Sequence, residues 1–173
     1  LFWQRDFPKP MTSLVNLARA ESGRVASAAV RALSRISHPE VRSLALDLMS
    51  NGKREADGIL LLKSNRQRGD FVAIENLLAA RGEDEFEYHS VGTSILDVLD
   101  HASVPPSESK GTLLTLYEND PCSHCRENVV SKLHASGNVP KSMAEECRYD
   151  AVPEIAAFFW FDVRTLVEIS GTT

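Results

Sequence analysis

The segment Asp120–Glu154, DPCSHCRENVVSKLHASGNVPKSMAEECRYDAVPE, decides how the rest of the chain is read. Its pattern predicts a helix, a tight stop and a shorter returning helix. Asp120 has the side chain of an N-cap, and Pro121 suits a first helical position, where its missing N–H is no loss. Cys122, Cys125, Val129, Val130 and Leu133 then recur at helical spacing and form one apolar stripe. Gly137 offers the positive φ that ends a helix, and Asn138-Val139-Pro140 opens the next. Val139, Met143, Ala144 and Cys147 repeat the helical spacing. Two short helices with one apolar side each cannot bury those sides alone, so they demand neighbours of the same kind.

Working outward, the same grammar recurs. Met11, Leu14, Val15 and Ala18 predict a first helix. Ser22 predicts a cap for Val25, Ala26, Ala29, Val30, Leu33 and Ile36, and Pro39 predicts the start of a helix closed by Asn51-Gly52. Lys53–Lys63 is a short element weakened by Gly58, since glycine costs about 1 kcal/mol against alanine within a helix. Gly69-Asp70 opens a helix with Phe71, Ile74, Leu77 and Leu78. The longest helix is expected over Asp84–Ala102, where the small residues Ser90, Gly92, Thr93 and Ser94 invite a close neighbour. Pro105-Pro106 begins another with Leu113, Leu114 and Tyr117, and Pro153 begins the last. No useful alternation of period two occurs, so the chain is read as all-α.

Helix pairs would begin near residues 22, 53, 84, 121 and 153, at intervals of 31, 31, 37 and 32. A recurrence near 30 residues is the mark of stacked helical repeats. The expectation is therefore a right-handed α-solenoid of four to five helix pairs. Residues 1–173 are read as one repeat domain, a fragment of a longer chain with incomplete repeats at both ends.

The run Val25-Ala26-Ser27-Ala28-Ala29-Val30-Arg31-Ala32-Leu33, followed by His38-Pro39-Glu40-Val41-Arg42, resembles bacterial HEAT-like repeats of the phycobilisome-lyase type. The resemblance returns at LYENDPCSHCRENVV and EECRYDAVPEI; it covers most of residues 10–157 and is poor over Lys53–Gly69. It implies a superhelix whose second helices line a concave face, and a scaffold or binding platform. On helix phase, Arg42, Leu46, Asn76, Thr115, Glu146 and Tyr149 are expected to face a protein partner. Alternatives are an accessory subunit of a lyase-type enzyme and a DNA-binding HEAT-like protein.

The net charge of −5 opposes the DNA-binding alternative, although Arg24, Arg31 and Arg35 share one helix side. Charge is also uneven: residues 1–81 hold 13 Lys and Arg against 8 Asp and Glu, and residues 82–173 hold 6 against 16. Such polarity can steer a partner. Three cysteines without a framework suggest a reducing cytoplasm, and no apolar run reaches the roughly 18 residues of a membrane span.

Cys122-Ser123-His124-Cys125 is the most chemically suggestive motif. Cys122 and Cys125 could give two zinc ligands and Cys147 a third, but His124 points about 100° away on a helix. Packing as small buried hydrophobes is the preferred reading, with no metal and no cofactor. A redox role would need a βαβ setting. The histidines His38, His89, His101, His124 and His134 are scattered, no phosphate loop occurs, and no catalytic residues are assigned. Phe158, Phe159, Trp160 and Phe161 cannot all face one core, so self-association through that edge is expected.

Overall fold

The computed structural model describes residues 11–21, 23–80, 85–101, 104–120 and 122–160, and every regular element among them is helical. The helices are α1 (Met11–Arg19), α2 (Arg24–Leu33), α3 (Pro39–Ser50), α4 (Glu55–Leu61), α5 (Asp70–Ala79), α6 (Glu85–His101), α7 (Pro106–Asn119), α8 (Ser123–Ala135), α9 (Lys141–Cys147) and α10 (Pro153–Trp160). A 3₁₀ turn, Leu62–Ser64, prolongs α4. No helix among the described residues is long and apolar enough to cross a membrane. The chain divides into two compact units, residues 1–70 with 90–103 and residues 71–89 with 104–173.

In the first unit, α1 packs on α2 and α3 on α4, while α1 also meets α3 and α2 meets α4. This is one helix pair laid on another. The predicted stripes supply the core: Leu14, Val15 and Ala18 of α1, Ala26, Ala29, Val30 and Leu33 of α2, and Val41, Leu44, Ala45 and Leu48 of α3 are buried. Val25 is a correction, being 63% exposed. It stands about 100° around the helix from Ala26, outside the stripe's arc. The pairing also begins one helix earlier than the interval reading placed it. A period fixes the spacing of equivalent helices and says nothing about which helix of a pair comes first.

Gly58 of α4 is a requirement of packing rather than a weakness. A Cβ there would lie 2.7 Å from the carbonyl oxygen of Ala45 and 2.8 Å from the amide nitrogen of Met49, so α3 and α4 approach backbone to backbone. A polar staple fixes the ends of the same helices. The buried Asn65 accepts from the His38 amide (2.8 Å) and donates to the carbonyls of Ile36 and Leu61. Arg42 reaches across to Asp70 with two hydrogen bonds of 2.8 Å and donates to the Asn65 carbonyl. Arg54 donates to the carbonyls of Ala18 and Ala20, which stand at the open C-terminal end of α1.

In the second unit, α7 packs on α8, α8 on α10 and α9 on α10. Cys125, Val129, Val130 and Leu133 of α8 are buried as the stripe predicts, together with Met143 and Cys147 of α9 and Ile155 and Phe159 of α10. Gly137 follows α8 with φ +67°, as its position required. The start of α8 is corrected. Asp120 is not its N-cap; Cys122 occupies that position with extended backbone, and the helix begins at Ser123. Asp120 instead accepts from the Cys122 amide (2.9 Å), forming a turn ahead of the helix. Ser22 lies outside the described residues; Gly23 precedes α2, with no side-chain cap.

Candidate metal centre

The displaced start of α8 has a chemical consequence. With Asp120 folded over the Cys122 amide, its carboxylate, both cysteine sulfurs at the mouth of α8 and His89 of α6 converge. Ligand-type atoms of His89, Asp120, Cys122 and Cys125 all lie within 4.8 Å of one another. The Cys125 sulfur stands 3.4 Å from His89 Nδ1. Asp120 and Cys125 are buried, at 5% and 1% exposure, and His89 and Cys122 are half-buried. All four belong to the second unit.

The electrostatics of this cluster are unbalanced. Asp120 Oδ1 accepts from the Cys122 amide, whereas Oδ2 is buried with no hydrogen-bond partner. A buried carboxylate oxygen without a partner is costly unless a proton or cation offsets it. Arg126, the residue after Cys125, is turned away to Asp150 at 3.0 Å. Burial pushes the Cys125 thiol up to about 12, and the neighbouring Asp120 and Cys122 push in the same direction. The same negative neighbours that disfavour a bare thiolate would favour a bound cation.

The other expected donors lie elsewhere. Cys147 is buried, with its sulfur 3.3 Å from the Tyr117 hydroxyl, and burial raises its thiol as well. It is therefore not grouped with the other two cysteines and packs as a buried hydrophobe, the reading preferred from the sequence. His124 faces solvent with its side chain 80% exposed, as helix phase predicted. Sequence reasoning missed Asp120, taken for a helix cap, and His89, which is 36 residues before Cys125. The available signal was the run Asp120-x-Cys122-x-x-Cys125 with a histidine 36 residues upstream of Cys125.

The expected partner-facing positions divide. Leu46 is 43% and Tyr149 85% exposed, and Asn76 and Glu146 are exposed as well. Thr115 is half-buried, its hydroxyl donating to the Gly111 carbonyl. Arg42 is a correction: its side chain is 19% exposed and held by Asp70, so it staples helices rather than meeting a partner. At the expected self-association edge, Phe159 is buried against His134 in an edge-to-face contact (5.7 Å) and Phe158 is half-buried on the same ring (5.3 Å). Phe159 is thus part of the core of the second unit. The Trp160 side chain and Phe161 lie outside the described residues. Comparison of the chain with protein-family models, curated proteins and solved structures finds no match.

Proposed function

We propose that this chain is a HEAT-like helical-repeat module that works by binding a partner protein, without chemistry of its own. The observation that carries the reading is the sequence distance of its tertiary polar contacts. Arg42 to Asp70 spans 28 residues, Arg54 to the Ala18 carbonyl 36, Lys63 to Asp97 34, Tyr117 to Cys147 30 and Cys125 to His89 36. Each spans about one repeat of the sequence period. Such spacing is the expectation for units that rest on their sequence neighbours, the arrangement of an α-solenoid. The packing of α1–α2 on α3–α4 supports the same arrangement.

On this reading the contact surface lies on the first helix of each pair rather than the second, with Leu46 on α3, Asn76 on α5, and Glu146 and Tyr149 on and just after α9. Tyr149 is the best anchor among them, because tyrosine supplies a large, rigid contact with a polar end. Affinity capture with the intact protein at low and high salt tests the reading. A partner protein retained at both, and weakened at least tenfold by Tyr149→Ala or Leu46→Ala, is expected. Capture abolished by nuclease, or by salt with the slope of phosphate contacts, would favour the DNA-binding alternative instead.

A further inference from the structure

We propose that His89, Asp120, Cys122 and Cys125 form a four-ligand structural site for a divalent metal ion, zinc by its donor set. The inference is independent of whether the repeats bind a partner. Two thiolates, an imidazole and a carboxylate are all established zinc donors, and four of them close a tetrahedron with no position left for substrate. With zinc bonds of about 2.0–2.3 Å, the edges of that tetrahedron are about 3.3–3.8 Å. The Cys125–His89 separation of 3.4 Å already lies in that range, and the whole set falls within 4.8 Å. Closing the remainder needs side-chain adjustment of about 1 Å.

The second observation is the buried Asp120 Oδ2, which has no hydrogen-bond partner although its residue is 5% exposed. A metal ion supplies the missing contact. Oδ1 remains on the Cys122 amide, and this bond orients the carboxylate as an outer hydrogen bond commonly does for a metal ligand. Bound, the ion would be held by two thiolates whose protons pass to solvent, by a neutral imidazole through Nδ1 and by a carboxylate. The resulting charge of −1 stands at the N-terminus of α8, where exposed amides favour it. The ligands come from α6, the α7–α8 turn and the start of α8, so the metal would tie these three segments together.

The test is metal content followed by cobalt substitution. The full chain, purified reduced and without added metal, is expected to carry one zinc per molecule by elemental analysis. After chelation under reducing conditions, Co²⁺ should return with a sulfur-to-cobalt charge-transfer band and the intense visible bands of tetrahedral cobalt. Cys122→Ser should remove about half of the charge-transfer intensity. His89→Ala and Asp120→Asn should each weaken Co²⁺ affinity at least tenfold. Cys147→Ala should bind one equivalent unchanged, since that sulfur lies with Tyr117. If Cys125→Ser fails to fold, Cys122→Ser and Asp120→Asn carry the test, with far-ultraviolet circular dichroism as the check on folding. Substoichiometric metal with no charge-transfer band, or a band lost in Cys147→Ala and kept in Cys122→Ser, overturns the site.

Discussion

Gly58→Ala is expected to destabilise the protein although it replaces a poor helix former with the best one. Propensity alone predicts a gain of about 1 kcal/mol. Against that, the new methyl would lie 2.7 Å from the Ala45 carbonyl oxygen and Met49 Cγ and 2.8 Å from the Met49 amide nitrogen. Ordinary contact begins near 3.5 Å, so α3 and α4 must part locally by something under ~1 Å. Two of the three obstacles are backbone, which no rotamer change relieves. The two helices that part bury Val41, Leu44, Ala45, Leu48 and Ile59 between them and their neighbours. Over-packing of this kind costs about 1–3 kcal/mol, and the absence of a side-chain escape places it toward the upper end. The net loss is about 1–2 kcal/mol. For a chain of this length that lowers Tm by about 2–8 °C. Gly111→Ala is the matched comparison, since the three atoms nearest its methyl would all belong to the Glu75 carboxylate, the end of a flexible side chain. Its Tm should stay level or rise. Calorimetry on both variants decides the point, and a Gly58→Ala protein as stable as Gly111→Ala would refute the close approach of α3 and α4.

Asn65→Ala removes the acceptor of the His38 amide and the donors to Ile36 and Leu61. At about 1–3 kcal/mol for a buried polar group left unpaired, it should cost about 2–4 kcal/mol in urea unfolding; a loss below ~0.5 kcal/mol would show that the staple contributes little. Alkaline stability should depend on Cys147, whose thiol is raised by burial. The unfolded chain then releases the proton first, so stability present below roughly pH 8.5 is lost as pH rises. Urea midpoints from pH 7.5 to 9.5 should fall less steeply in Cys147→Ala, and an unchanged slope would exclude that thiol as a cause.

The helices were legible in the sequence because each carries a local signature. Pro39, Pro106 and Pro153 stand at helix starts, and Gly52, Gly69 and Gly137 take positive φ beside helix ends. The apolar stripes of α1, α3 and α8 are the buried faces, since a period near 3.6 residues is itself the geometry of burial. What was not legible depended on partners distant in sequence. Arg42 reads as an exposed charge until Asp70 is seen across from it, and Gly58 reads as a flaw until α3 lies against it. Asp120 reads as a cap because a cap and a turn ahead of a helix use the same residue types, and the difference of two residues brings its carboxylate to the cysteines. His89 carries no local signal at all.

The proposed repeat arrangement rests on helices that lie against their counterparts one pair along the chain, as α1 does against α3 in the first unit. The direct test is a spin–spin distance between labels introduced by an orthogonal amino acid at Asn16 of α1 and Leu46 of α3, both exposed. At about 8–10 Å between the axes of packed helices, a narrow distribution below ~20 Å is predicted. A distribution centred above ~30 Å would contradict the stacking of the first pair on the second.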